Sequence, residues 1–192
     1  MTKQLEKMNL IEFNGAYNKT TAWFFSFPEK EVSLNDLSEA LKISKTTARR
    51  VVNQLVKKGF LKIETIGKIW RISCDKNHQY NYSRKIGYNL TMIYESGILR
   101  EIHKKISNPR AIILFGSYRK GDDNEKSDID IAIEVLGNEE VQLIELGIIP
   151  EFGFRKNVVV NLYVFTKNKI DLNLFSNITN GIILEGFLEV KP

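Results

Sequence analysis

The sequence predicts an α/β (α+β) chain made of two unlike units joined by a helical connector. Three observations predict it. Residues 33–72 hold two short helical patterns separated by a two-residue break and followed by two strand patterns. Residues 83–107 carry one long amphipathic pattern. Residues 111–133 hold two apolar strand patterns, the second interrupted by Asp128 and Asp130. The expected units are 1–75, a connector over 76–107, and 108–192.

In the first unit, Ser33-Leu34-Asn35-Asp36 has the form of a helix start, a Ser cap with an acid three residues on. Leu34, Leu37, Ala40 and Leu41 follow at helical spacing. Lys42-Ile43 breaks the pattern, and Ser44 caps a second helix over 44–58. Its apolar set is Ala48, Val51, Val52, Leu55 and Val56; its polar face carries Lys45, Thr46, Arg49, Arg50, Asn53 and Lys57. Gly59 stands where a left-handed helix end is wanted. Residues 60–65 and 69–72 are strand-like, with Ile66-Gly67-Lys68 as the turn between them. Upstream, 10–27 predicts a further helix whose Trp23, Phe24 and Phe27 are read as core.

Charge gives this unit a direction. The chain of 192 residues has a net charge of +5. Residues 42–71 alone carry Lys42, Lys45, Arg49, Arg50, Lys57, Lys58, Lys62, Lys68 and Arg71 against the single acid Glu64. An excess that local suggests a nucleic-acid face. Helix, turn, helix and hairpin in this order resemble the winged helix-turn-helix of prokaryotic transcriptional regulators over about residues 20–75. The resemblance implies double-stranded DNA as partner. Lys45, Thr46, Arg49, Arg50, Asn53 and Lys57 would then face base edges or phosphates, and Lys68 and Arg71 on the hairpin would grip the backbone.

Composition bounds the remaining classes. With 43% hydrophobic residues the chain can build real cores, and four Pro and twelve Gly exclude collagen-like and low-complexity classes. The single Cys74 can form neither an internal disulfide nor a zinc cluster, which fits a reducing compartment. No apolar run approaches the roughly 20 residues of a membrane span, and the first fifteen residues lack an apolar stretch of signal-peptide length. A cytoplasmic protein with no membrane partner is expected.

In the connector, 75–82 is polar and reads as a linker. Ile86, Leu90, Ile93, Tyr94, Ile98, Leu99, Ile102 and Ile106 then mark one face of a single helix, free to pack on the second unit or on a second copy in a homodimer. His78 and His103 have no neighbours at metal-ligand spacing and are read as surface residues.

The second unit carries the chemistry. A buried-strand pattern, Ala111-Ile112-Ile113-Leu114-Phe115, runs straight into Gly116-Ser117. Ten residues later comes Ser127-Asp128-Ile129-Asp130. Alternate strand residues share a face, so Asp128, Asp130 and Ala132 point one way and Ile129, Ile131 and Ile133 point to the core. Two carboxylates about 6–7 Å apart along a strand can bracket divalent cations. Mg²⁺ takes such hard oxygen ligands and shares them with nucleotide phosphates. Gly116 lets backbone approach a phosphate, and Ser117 offers a hydroxyl and an N–H to the same oxygens.

The residues Gly116-Ser117-Tyr118-Arg119-Lys120-Gly121 and Ser127-Asp128-Ile129-Asp130 resemble the polymerase-beta nucleotidyltransferase superfamily, above all its minimal members. Fusions of winged helix-turn-helix units to such domains occur in that group, and 180–186 is similar to its closing segment. The resemblance implies a small mixed sheet with the site at one sheet end, and Mg²⁺ with ATP or another NTP as substrate. It implies Gly116, Ser117, Gly121 and Ser127 around the nucleotide, with Asp128 and Asp130 as metal ligands. It also implies in-line attack of an acceptor oxygen on the α-phosphorus with release of pyrophosphate. Arg119 or Lys120 would help hold the triphosphate.

The sequence departs from that group at one place. Active members carry a third acid on the next strand. Here that strand is read as 158–164, and the aligned position holds Asn161. Glu151 and Asp171 are the nearest acids on either side. Two functions therefore stand against each other. The first is a nucleotidyltransferase coupled to DNA binding, for which the resemblance to antitoxins among minimal members implies a partner toxin RNase as acceptor. The second is a non-catalytic DNA-binding regulator whose second unit senses nucleotide or binds a partner. A modifier of small molecules or RNA is the weaker third.

Overall fold

A computed structural model describes residues 15–189. Helix α1 (Ala16–Ser26) precedes a short strand β1 (Val32–Ser33), helices α2 (Leu34–Ala40) and α3 (Lys45–Lys57), and the hairpin β2 (Leu61–Ile66)–β3 (Ile69–Cys74). Residues 10–14 of the expected first helix lie outside the described residues.

The caps read from the sequence are formed. Ser33 Oγ accepts from Asp36 N at 3.2 Å and Ser44 Oγ accepts from Thr47 N at 3.1 Å. Between the two helices Lys42 takes φ 52°, and after α3 Gly59 takes φ 76°, so each helix ends in a left-handed residue. The hairpin turn is Gly67-Lys68, flanked by the pair Ile66 and Ile69. Strand β1, which the sequence did not signal, adds to the free edge of β3 through Val32 opposite Ile72.

Two parts of the connector differ from expectation. Residues 75–82 are not an open linker. They hold a 3-10 helix, Gln79–Tyr82, with Tyr80 and Asn81 buried. His78 caps it, its other ring nitrogen lies 2.8 Å from the Lys58 carbonyl, and its ring packs edge-on to Tyr80. The long helix is two helices, α4 (Arg84–Glu95) and α5 (Ile98–Lys105). Gly97 breaks them at φ 76°, and the apolar stripe carries on across the break as buried Met92, Ile93, Ile98 and Ile102. His103 is exposed as expected and pairs with Glu185.

The second unit is a five-stranded sheet in the order β6-β7-β5-β4-β8. Its strands are β4 (Ala111–Phe115), β5 (Ile129–Glu134), β6 (Gln142–Phe152), β7 (Arg155–Phe165) and β8 (Ile182–Gly186). Only β5 and β7 run parallel among its neighbouring pairs. Helix α6 (Gly116–Lys120) follows β4, and α7 (Leu172–Thr179) precedes β8. The chain is thus mixed α+β with a helical first region and a mixed sheet in the second.

Both sheet faces are covered. Ile112, Leu114, Ile131 and Leu162 join one core that runs on through α4 and α5 into Phe24, Leu37, Val52 and Phe60. Ala111, Ile113, Phe115, Ala132 and Phe165 pack on the opposite face with Ile178 of α7. Ala132, expected to share an open face with the two aspartates, is fully buried there. On that face Asp128 is exposed and Asp130 partly buried at the start of β5, and Leu143 on the edge strand β6 is exposed as well.

Polar contacts also cross between the units. Lys85 of α4, almost without exposure, donates to the Asp123 carbonyl and lies 3.3 Å from its carboxylate. Asn89 donates to the Tyr118 carbonyl and to Asp123 at 2.8 Å. Lys30 pairs with Glu125 at 3.0 Å.

Candidate functional site

The end of β4, the helix α6 and the start of β5 meet at one corner of the sheet. Phe115 is the register partner of Asp130, so Gly116 lies beside that carboxylate. A Cβ on Gly116 would come within 2.8 Å of Asp130 Oδ2, and its φ of 72° is left-handed. The left-handed φ favours glycine here, and any Cβ would also press on the Asp130 carboxylate. Ser117 follows half-buried at the first turn of α6.

Asp128 is exposed just ahead of β5, and Asp130 is partly buried within it. Burial, reinforced by the Asp128 charge, pushes the Asp130 carboxyl above the usual carboxylate range; the Asn161 amide opposes this. Asn161 is the direct partner of Asp130 on the parallel strand β7. Its amide nitrogen donates to Asp128 Oδ2 in a long bond of 3.4 Å. Four of the residues singled out in the sequence, Gly116, Asp128, Asp130 and Asn161, therefore converge.

Two others stand apart. Gly121 ends α6 at φ 79° with its α-carbon turned to the connector, where a Cβ would strike the Asn81 carbonyl. Its role in the structure is close packing between units. Ser127 has its hydroxyl in the turn ahead of Asp128, where it accepts from Asn124 N at 3.0 Å. Arg119 is half-buried and Lys120 exposed. Glu151 lies opposite Lys156 at the far end of the β6–β7 hairpin, and Asp171 caps α7, so neither reaches the aspartates.

On the first unit, Lys45, Thr46, Arg49, Arg50, Asn53 and Lys57 are all exposed on α3, while Ala48, Val51, Val52 and Leu55 are buried. The Arg49 guanidinium lies over the Trp70 ring of β3 at 5.0 Å from its centroid. Lys68 is exposed at the hairpin tip. Arg71 is exposed but engaged, by Glu31 and by Glu64.

Comparison with known families gives two matches. Residues 28–64 match the DeoR-like helix-turn-helix domain, and residues 96–184 match the nucleotidyltransferase domain. The chain joins a DeoR-like helix-turn-helix domain to a nucleotidyltransferase domain. No curated protein and no solved structure matches the chain.

In the nucleotidyltransferase domain the donor set suits a hard divalent cation shared with phosphate oxygens: two carboxylates and one amide oxygen at an accessible strand end. No group of three or more His, Cys, Asp and Glu side chains placed to hold a metal exists among the described residues. Bound phosphates would have to complete the coordination.

Three neighbours were not singled out from the sequence. Tyr163 shares the Asp130 face, packs edge-on against Phe115 at 5.1 Å, and has its hydroxyl pKa raised by burial and by the Asp130 and Asp128 charges. Glu145 is the register partner of Asn161 on β6, next to a bulge. Arg155 is buried beneath the loop that presents Asp128. Tyr163 stands two residues after Asn161 in the strand pattern 158–164, a spacing that signals a shared face; no local signal marks Arg155.

Proposed function

We propose that the nucleotidyltransferase domain binds an Mg²⁺–nucleoside triphosphate at Gly116, Ser117, Asp128 and Asp130 and transfers its nucleoside monophosphate to an acceptor hydroxyl. The observation that carries this is the contact of Gly116 with the Asp130 carboxylate, with Asp128 and Asn161 alongside. It puts a bare stretch of backbone next to two metal-competent oxygens, which suits a polyphosphate.

A cation held by Asp128 and Asp130 would neutralise charge on the transferring phosphate. The chain's own contribution is placement. Gly116 leaves room for the phosphates, and Ser117 supplies a hydroxyl to them. The acceptor oxygen forms a bond to the α-phosphorus as the bond to the bridging oxygen breaks, and pyrophosphate leaves. Asn161 has no basic oxygen, so the acceptor proton passes to solvent. The acceptor is a hydroxyl on a partner protein, such as a toxin RNase, since the unit 108–192 is short for an enzyme that encloses a bulky acceptor alone.

The helix-turn-helix domain suggests DNA binding, and α3 with Arg49 and Arg50 is the face that would enter the major groove. A protein that modifies its partner and binds DNA would suit autoregulation of both. No helix among the described residues is long and apolar enough to cross a membrane, in keeping with the cytoplasmic setting proposed here.

The test is label transfer from α-labelled ATP in Mg²⁺, with the partner protein co-expressed. Transfer is expected from the unmodified chain and is lost in Asp128→Ala and in Asp130→Ala. Transfer surviving both substitutions would overturn the site. The second reading, nucleotide sensing without catalysis, is favoured by the single observation that an amide nitrogen stands beside Asp128 where active members of the superfamily hold an acid. It expects metal-dependent nucleotide binding with no product.

A further inference from the structure

Arg155 opens β7, directly after the β6–β7 turn, and is 6% exposed. Its guanidinium reaches both halves of the nucleotide site. Nη1 donates to the Tyr118 hydroxyl, one residue past Ser117. Nη2 donates to the Glu125 carbonyl at 3.2 Å and to the Ser127 carbonyl, one residue before Asp128. The Tyr118 side chain is itself fixed, edge-on to Phe152 at 5.6 Å, and its carbonyl accepts from Asn89 at 3.0 Å.

No regular element joins these two halves. Between α6 and β5 the chain is a loop closed by local turns at Asn124 and Ser127. A planar fork of donors is the group that can hold a side chain on one segment and two carbonyls on another in fixed relation. No acidic side chain pairs with Arg155 among the ion pairs of the described residues. The buried Asp123 carboxylate feels the Arg155 charge without pairing directly with it, and a buried cation lacking a direct partner is costly to keep. Its charge lies under a loop that carries Asp128 and would receive a polyphosphate.

We propose that Arg155 is a positioning residue: it sets the placement of Asp128 relative to Ser117 and thereby the site's affinity for the metal–nucleotide complex. The inference rests on the nucleotide-binding reading above. It assigns to a residue outside the nucleotide motifs the job of holding the two motifs in register. Arg155 touches neither nucleotide nor metal; it acts through the backbone at Ser127 and the side chain of Tyr118.

The test uses the full chain, with ATP and Mg²⁺ as probes and three readouts: the Mg²⁺ concentration that half-saturates ATP binding, the thermal unfolding midpoint, and affinity for duplex DNA. Arg155→Lys keeps the charge and loses the fork. It is expected to raise the half-saturating Mg²⁺ by about tenfold, as loss of an outer-shell partner does, with binding recovered at high Mg²⁺ and DNA affinity unchanged. An unchanged Mg²⁺ requirement with only a lowered unfolding midpoint overturns the proposal, since that is what a packing role alone gives. Should Arg155→Lys not fold, Tyr118→Phe removes one acceptor of the same fork. A several-fold rise in its Mg²⁺ requirement supports the proposal and none overturns it. Absence of Mg²⁺–ATP binding by the unmodified chain overturns the nucleotide reading itself, and this inference with it. Binding that is present but indifferent to both substitutions overturns this inference alone.

Discussion

Asp130 and Asn161 stand opposite each other on the parallel strands β5 and β7, and the Asn161 amide reaches across to Asp128. A neutral amide thus stands beside both carboxylates of the proposed metal site, with its nitrogen 3.4 Å from Asp128 Oδ2. That relationship decides how the site should respond to substitution.

Asn161→Asp adds a carboxylate next to two others. Without a cation the three repel, so the apo protein loses stability; with Mg²⁺ the added ligand is used. We expect Mg²⁺ affinity to rise by about tenfold, roughly 1.4 kcal/mol. Thermal unfolding across a Mg²⁺ series measures it: a lower midpoint than the unmodified chain in chelator, and a steeper gain with metal. A midpoint that ignores Mg²⁺ in both proteins would count against a metal site.

The buried pair Lys85–Asp123 ties α4 to the loop behind the site. Burial pushes the Asp123 carboxyl up and the Lys85 ammonium down, and each partner partly restores the other's charge. Removing one partner strands the other. Lys85→Met should cost about 3–5 kcal/mol, and adding Asp123→Asn should recover much of it. Denaturant unfolding of the two single variants and the double variant tests this; strict additivity would refute the pairing.

On the proposed DNA face all three arginines are exposed, and ion pairing sets Arg71 apart from Arg49 and Arg50. Arg49→Ala or Arg50→Ala should weaken duplex binding by about 1–3 kcal/mol if a base edge is read, or lower the salt slope by about one if a phosphate is held. Arg71→Ala should do less, because Glu31 and Glu64 already occupy its guanidinium. Fluorescence anisotropy on labelled duplex over a salt series distinguishes the three.

Cys74 reports on how the hairpin meets the connector. Burial pushes its thiol up to about 12. The unfolded chain releases this proton near pH 8.5 and the folded one retains it, so folded stability falls as pH rises above that value. Relative to Cys74→Ala, the unmodified chain should lose unfolding midpoint between about pH 8.5 and 10. Thiol reagents should react slowly until it unfolds. Fast reaction at neutral pH would show the junction to be open.

Much of this was legible because the signals were local. Ser33, Ser44 and Gly59 announce helix ends by the chemistry of their own backbone, and Asp128 and Asp130 announce a face by strand alternation. What was missed depended on distance or on broken periodicity. The apolar stripe of 83–107 runs through Gly97 unbroken, so periodicity alone could not show the break between α4 and α5. Strand β6 was hidden because its bulge between Glu145 and Gly147 shifts the alternation. Gly121 has the spacing of a phosphate glycine, but the side where a Cβ would stand is closed by the Asn81 carbonyl, a contact 40 residues away that no local pattern carries. Arg155 had no local signature at all, because its partners lie 28 to 37 residues earlier in the chain.

The most direct measurement is calorimetric titration of Mg²⁺–ATP and Mg²⁺–GTP into the full chain and into Asp130→Asn. Metal-dependent binding to the unmodified chain is expected, abolished by chelation and by Asp130→Asn alike. No binding at millimolar nucleotide, or equal binding by Asp130→Asn, would contradict it.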